Sequence, residues 1–230
     1  MDAVRIVVLI SGNGSNLQAL IDATEAHVLP HTYIALVISN RSKAYGLERA
    51  SLHQIPTRII TLKSYKDRGL SRQEYDNDLA DAVLEQRPDL VVLAGFMHIV
   101  SPLFLGKCPN VINLHPALPG AFPGTNAIQR AYEAYLRGEC DKTGVMVHWV
   151  VPEVDAGDVI LKQEIDFIPE ESLEALETRI HTIEHQVIVK ATKMALQQLG
   201  KIPTSPTSIS MAHSTLLNHG DLHQLRQMAR

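Results

Sequence analysis

Short, almost wholly apolar runs alternate with longer amphipathic stretches along most of this 230-residue chain. The apolar runs have the length of strands, and the stretches between them show the three-to-four-residue apolar spacing of helices. Apolar strands separated by helices indicate a mostly parallel sheet covered by helices on both faces. We therefore predict one α/β domain over residues 1–202, with a Rossmann-like twisted sheet that ends in an antiparallel strand pair.

The predicted elements follow from this alternation. Strands are expected at 4–10, 33–39, 57–61, 90–94, 111–114, 144–151 and 159–165. Helices are expected at 15–27, 44–53, 71–86, 125–136 and 172–199, with Ser71 and Ser172 as N-caps. The stretch 203–214 is rich in Ser, Thr and Pro, so 203–230 is predicted to be a loosely attached tail that could hold a short helix at 216–228.

Charge and cysteine content exclude several classes of protein. The formal net charge of −4 argues against nucleic acid as a partner, because no basic excess is available to neutralise phosphates. The N-terminal residues lack the pattern of a secretory signal, and no apolar run reaches membrane-spanning length, so we expect a cytoplasmic protein with no membrane partner. Cys108 and Cys140 have no CxxC partner, which disfavours a zinc ribbon.

Three unusual segments follow three of the predicted strands. They are residues 11–16, 95–100 and 115–124, after the first, fourth and fifth strands. In open α/β sheets, ligands bind beyond the carboxyl ends of the strands. We therefore expect these segments to meet at one edge of the sheet and form a site there.

The first segment, Ser-Gly-Asn-Gly-Ser-Asn, joins a strand to a helix. Glycines allow a sharp turn, and the free amides at a helix start suit a phosphate group. The segment has no lysine, so it is not a nucleoside triphosphate loop, and it does not match GxGxxG. Two interpretations stay open: a monophosphate site, and a tight turn of the kind found in any α/β fold.

Asn113 and His115 lie two residues apart at the end of a predicted strand, so their side chains point to the same side. An amide beside an imidazole can stabilise a developing oxyanion and move a proton. Asp155 lies in a loop before Gly157, and if it reached His115 it would raise the pKa of the imidazole. The alternative is a polar strand end with a capping role, and His148 on the next strand is more typical of a structural histidine.

His181, Glu184 and His185 form the pattern HxxEH on the last predicted helix, which is found in some zinc hydrolases. A catalytic zinc needs a third protein ligand, and only the polar tail follows this helix. Five-residue patterns of this kind arise readily in a helix that contains several His and Glu residues. We therefore predict no metal site.

Four stretches of the chain together carry a resemblance to a known family. They are ISGNGSNLQALIDA, VVLAGFMHIVSP, NLHPALPGAFPGTNAI and GVMVHWVVPEVDAGDVI. Together they resemble the glycinamide ribonucleotide formyltransferases, folate-dependent enzymes of purine biosynthesis, over about residues 4–199. The sequence departs from that family at His98, where an arginine is common, and at Ala117–Gly120, where a longer serine-containing segment is frequent.

The resemblance implies a role for each matching residue. The implied catalytic residues are Asn113, His115 and Asp155, the last raising the pKa of the histidine. The implied ribonucleotide-binding residues are Gly14, Ser15, Asn16 and Glu184. The implied folate-binding residues are Arg72, Met97, His98, Ile99, Val100 and Asn113.

The implied reaction moves the formyl group of 10-formyltetrahydrofolate, used as a co-substrate, to the amine of 5'-phosphoribosylglycinamide. The expected partners are these small molecules, with the protein as a monomer or homodimer. Two alternatives remain: a formyltetrahydrofolate hydrolase, which needs no phosphate loop, and a non-catalytic folate- or nucleotide-binding module. A methionyl-tRNA formyltransferase is expected to carry a further RNA-binding domain and more basic charge.

Overall fold

A computed structural model describes residues 3–204. The strands are β1 (Val4–Ile10), β2 (Thr32–Ser39), β3 (Thr57–Ile59), β4 (Leu90–Leu93), β5 (Val111–His115), β6 (Lys142–Trp149) and β7 (Val159–Asp166). The helices are α1 (Ser15–Glu25), α2 (Gly46–Leu52), α3 (Leu62–Asp67), α4 (Arg72–Leu84), α5 (Pro102–Lys107), α6 (Ala127–Leu136) and α7 (Leu173–Gln198). The tail helix predicted at 216–228 lies outside the described residues.

The strands form one sheet in the order β3-β2-β1-β4-β5-β6-β7. The first five in chain order pair in parallel, whereas β6 and β7 are antiparallel to their neighbours. The predicted fold class, a Rossmann-like sheet with a C-terminal antiparallel pair, is therefore confirmed. In the β6–β7 pairing, Val147 lies opposite Leu161 and His148 opposite Val159, so Ile160 is an extra residue in a bulge.

Two hydrophobic clusters lie on the two faces of the sheet. In β1, Ile6, Val8 and Ile10 join the cluster that includes apolar side chains of α1 and α7. Val7 and Leu9 point to the opposite face and join the cluster that includes side chains of α4 and α5. Every one of these five side chains is fully buried, which explains why the strand is apolar at consecutive positions.

The boundaries of the long elements agree with their sequence signals. Ser71 and Ser172 are N-caps as predicted: each side chain accepts a hydrogen bond from a backbone N–H three residues on. Two short helices were not predicted, α3 and α5. The sequence does carry a start signal for α5, since Ser101 caps it and Pro102 occupies its first turn.

The carboxyl ends of β1, β4 and β5 lie side by side, because these strands are adjacent and parallel. The segments that follow them therefore meet at one edge of the sheet, as predicted from the strand pattern. Within residues 3–204, no helix is both long enough and apolar enough to cross a membrane.

Candidate active site

A pair of adjacent strands, β5 and β6, brings three polar side chains together. Asn113 and His115 lie on one face of β5. The antiparallel register places His148 directly opposite Asn113, with Asn113 Nδ2 3.3 Å from His148 Nε2. The sequence favoured a structural role for His148, because strand register across 35 residues cannot be read from spacing. The structure places it in the cluster.

Asp155 completes this cluster from the loop between β6 and β7. Its Oδ1 accepts from Asn113 Nδ2 at 3.3 Å and lies 3.5 Å from His148 Nε2. Its Oδ2 accepts from the backbone N–H of Gly124 at 2.8 Å and lies 3.4 Å from His115 Nδ1. One carboxylate therefore contacts all three side chains, and the side chains of Asp155 and His115 are only 11% and 5% exposed.

The backbone around the cluster orients both imidazole rings. His115 Nε2 donates to the carbonyl of Phe122 at 3.2 Å, and His148 Nδ1 donates to the carbonyl of Trp149 at 2.9 Å. Because Nδ1 of His148 is the donor, its Nε2 is free to accept from Asn113 when the ring is neutral. Phe122 and Asp155 both have positive φ, at 47° and 53°, a conformation that is strained for non-glycine residues.

The two loops beside the cluster enclose a cavity of about 370 Å³. Pro119, Gly120, Ala121 and Pro123 line one side. The other side consists of the loop that carries Asp155, from residue 154 to 159. The prolines stiffen their loop, so this wall of the cavity has a defined shape.

Burial and neighbouring groups together set the pKa values of His115 and Asp155, and both lie below their ordinary values. Burial lowers the pKa of His115 below its ordinary value, and the charge of Asp155 opposes this only in part. The charge of Asp155 acts in the expected direction, raising the His115 pKa, but burial of the ring, which spacing does not show, lowers it by more. Burial alone would raise the pKa of Asp155, but the nearby His148 imidazole and the hydrogen bond from the backbone N–H of Gly124 bring it below the ordinary range.

These shifts give a titration that can be measured. We expect the His115 imidazole to titrate below its ordinary pKa of about 6.5 in a histidine NMR experiment. Asp155→Asn removes the charge that raises the His115 pKa, so the midpoint should move to still lower pH. Asp158→Asn, an exposed substitution three residues on, should leave it unchanged. A midpoint that rises in Asp155→Asn would contradict this electrostatic account.

The glycine loop lies at the same edge of the sheet, at the start of α1. Gly14 has φ +76°, and a Cβ there would lie 2.6 Å from the Cα of Gly46, so only glycine fits. Arg49 on α2 also holds the loop, because its Nε and Nη2 donate to the carbonyl and side-chain oxygens of Asn13. No sequence motif singles out Arg49, and it was not among the predicted site residues.

Glu184 faces this loop from α7. Its Oε2 accepts from Asn16 Nδ2 at 3.0 Å, and the residue is only 4% exposed. Burial raises the pKa of the Glu184 carboxyl, against the opposing effects of Asn16 and the nearby His181. Among residues 3–204, no group of three His, Cys, Asp or Glu side chains is arranged so that it could hold a metal ion, at the HxxEH pattern or elsewhere.

The segment after β4 carries the residues that the family resemblance links to folate. Met97 and Ile99 are 59% and 57% exposed, whereas Val100 is buried. Arg72 Nη2 donates to the carbonyl of Ile99 at 2.5 Å. The imidazole of His98 is only 8% exposed and bonds to a side chain of α4. The segment therefore presents two apolar side chains to solvent from a backbone held by α4.

Comparison with known proteins identifies relatives of this chain. A sequence model described as "Formyl transferase" matches residues 4–192. A protein of Schizosaccharomyces pombe named phosphoribosylglycinamide formyltransferase is 50% identical over 194 residues, covering 81% of this chain and 94% of its own. A Saccharomyces cerevisiae protein of the same name is 45% identical over 212 residues, covering 86% and 99%.

A solved structure supports the same relationship. The crystal structure of phosphoribosylglycinamide formyltransferase from Bacillus halodurans superposes with a TM-score of 0.77 at 33% identity. The match covers 84% of this chain and 96% of that one.

Proposed function

The chain belongs to the formyl transferase family, and from that membership we propose that it is a phosphoribosylglycinamide formyltransferase. In this proposal it moves the formyl group of 10-formyltetrahydrofolate to the amine of 5'-phosphoribosylglycinamide, a step of de novo purine synthesis. Relatives that bear this name share 45–50% identity with it across nearly their whole length. Its association as a monomer or homodimer stays a prediction.

The observation that carries the proposal is the single cluster of Asn113, His115, His148 and Asp155 at the edge of the sheet. An amide donor, an imidazole and a carboxylate lie within 3.5 Å of one another there. The glycine loop lies at the same edge, after β1, which is separated from β5 by β4 alone. An acyl-transfer centre and a phosphate-binding turn therefore share one rim, as a phosphorylated amine substrate requires.

The cluster supports a stepwise transfer. The substrate amine attacks the formyl carbon, and the carbonyl oxygen becomes an oxyanion as its π bond breaks. Asn113 makes two long hydrogen bonds of 3.3 Å, so one of its N–H groups can turn to that oxygen at little cost. An N–H donor directed at the developing negative charge stabilises the transition state.

His115 then moves the proton. Because burial keeps its pKa low, the imidazole is neutral near pH 7 and can accept a proton from the attacking nitrogen, which carries a positive charge in the intermediate. The imidazolium is stabilised by Asp155 and delivers that proton to the departing folate nitrogen, as the oxyanion re-forms the carbonyl and the carbon–nitrogen bond to folate breaks. The products are the formylated amine and tetrahydrofolate, with no net change at the histidine.

The substrates are assigned to the two sides of the cluster. We assign the phosphate and ribose to Gly14, Ser15, Asn16 and Glu184, which meet through the Asn16–Glu184 hydrogen bond. We assign the folate to Arg72 and to the segment Met97–His98–Ile99–Val100, with Asn113 between the two substrates. The exposed Met97 and Ile99 side chains provide an apolar surface for a flat ring.

One assay tests the proposal against its alternatives. The purified protein is supplied with 10-formyltetrahydrofolate, with and without phosphoribosylglycinamide, and the folate product is followed by absorbance. We expect turnover that depends on the acceptor. Turnover without acceptor would instead identify a hydrolase, and an absence of turnover together with folate binding would identify a binding module.

A further inference from the structure

Asp76 on α4 is a buried carboxylate outside the catalytic cluster. Its side chain is only 1% exposed, and its buried apolar neighbours on α4 belong to one of the two hydrophobic clusters. A buried charge needs partners, because transfer out of water is otherwise costly. Asp76 has two: its Oδ1 accepts from His98 Nε2 at 2.7 Å, and its Oδ2 lies 3.8 Å from Arg72 Nε.

Both partners of Asp76 connect it to the segment 97–100. His98 belongs to it, and its ring packs edge-on against Tyr75 with centroids 5.0 Å apart. Arg72, held beside Asp76 on the same helix, donates to the carbonyl of Ile99. A single carboxylate is therefore connected to two successive residues of the segment, once directly and once through the arginine.

A third anchor holds the start of the segment. The backbone N–H of Met97 donates to Ser11 Oγ at 2.7 Å, and that hydroxyl donates in turn to Asn40 at 2.6 Å. Three consecutive residues are thus fixed, while the side chains of Met97 and Ile99 stay more than half exposed. An exposed apolar edge on a fixed backbone is suited to receive a rigid ring, because little order is lost on binding.

We propose that Asp76 is a positioning residue for folate: it fixes the segment 97–100 through His98 and Arg72 in the shape that receives the folate ring. The inference rests on the proposed function, since it assumes that this segment contacts folate. Asp76 itself touches neither substrate. Without the carboxylate, His98 keeps a buried N–H with no acceptor, and the segment must be ordered at the moment of binding.

The expected effect is therefore confined to one substrate. In Asp76→Ala, the KM for 10-formyltetrahydrofolate should rise about tenfold, the value of one charge-assisted hydrogen bond. The KM for the ribonucleotide should change little, because Gly12 and Asn13 of the glycine loop are held by α2 and not by Asp76. Asp76→Asn keeps an oxygen that can accept from a neutral His98, so it should lie closer to the wild type than Asp76→Ala.

The experiment measures both KM values, kcat and the binding of tetrahydrofolate by calorimetry for the wild type, Asp76→Ala, Asp76→Asn and His98→Ala. Asp78→Asn is the matched control, because Asp78 lies on the same helix and accepts from Tyr65 instead. Thermal unfolding shows which variants are folded. If Asp76→Ala is not folded, the same measurements on Asp76→Asn and His98→Ala test the proposal. In the double variant Asp76→Ala/His98→Ala, the loss should be no larger than in Asp76→Ala alone, because His98 acts through its bond to Asp76.

The outcomes separate the two proposals. A selective loss of folate binding that Asp76→Asn largely restores supports the positioning role. Equal changes for both substrates, or unchanged folate binding in folded variants, would overturn it. A wild type without acceptor-dependent turnover would overturn the proposed function instead, and tetrahydrofolate binding would still decide the role of Asp76.

Discussion

Replacing His115 with alanine is expected to lower kcat by about a hundredfold or more, the equivalent of about 3 to 4 kcal/mol of transition-state stabilisation. In the proposed mechanism, the His115 imidazole takes a proton from the attacking nitrogen and delivers it to the departing one. Its ring is held between Asp155 and the carbonyl of Phe122. Alanine provides no group that could carry the proton in its place. The measurement is steady-state turnover with both substrates saturating.

The KM for the ribonucleotide should stay close to that of the wild type, because the glycine loop and Glu184 lie apart from this ring and are bonded to each other. His53→Ala is the control: His53 is paired with Glu25 outside the cluster and should retain full turnover. Normal turnover of a folded His115→Ala protein would remove the imidazole from the mechanism.

Gly157→Ala should reduce both stability and turnover. A Cβ at this position would lie 1.7 Å from the carbonyl oxygen of Trp149, so the loop or the end of β6 must move. Overpacking of this kind costs about 1 to 3 kcal/mol. The same carbonyl accepts from His148, and Asp155 lies two residues before the glycine, so two members of the cluster are displaced. Since a 1 Å misplacement can cost about a hundredfold, we expect a ten- to hundredfold loss of kcat.

Thermal unfolding and steady-state kinetics measure the two effects together. Gly106→Ala provides the control, because it lies in α5 with open space where its Cβ would be, and it should be neutral or slightly stabilising. If Gly157→Ala kept the wild-type unfolding temperature and turnover, the close packing of the loop against β6 would be unnecessary for stability and catalysis.

The sequence predicted the sheet and its edge because each rests on local signals. Buried parallel strands are apolar at successive positions, and Ser71 and Ser172 mark helix starts within one turn. Short helices carry weaker periodicity, which is why α3 and α5 were missed, although Ser101 caps α5 and Pro102 begins it. The common edge followed from the fold class, since the carboxyl ends of parallel strands meet.

Contacts between distant parts of the chain were not predictable in the same way. The placement of His148 opposite Asn113 depends on register between two antiparallel strands. The net pKa of His115 depends on how deeply the ring is buried, which spacing does not show. Arg49 and Asp76 act through residues far along the chain, and only the folded structure identifies their partners.

The bulge at Ile160 affects how the cluster on β5 and β6 tolerates a change in the length of β7. A one-residue slip between β5 and β6 would turn His148 to the opposite face of the sheet. The extra residue instead lies in β7, the edge strand, where it offsets the β6–β7 pairing and leaves Asn113 and His148 aligned. A change of one residue in β7 can therefore be absorbed at this outer edge without altering the register of the two inner strands that carry Asn113 and His148.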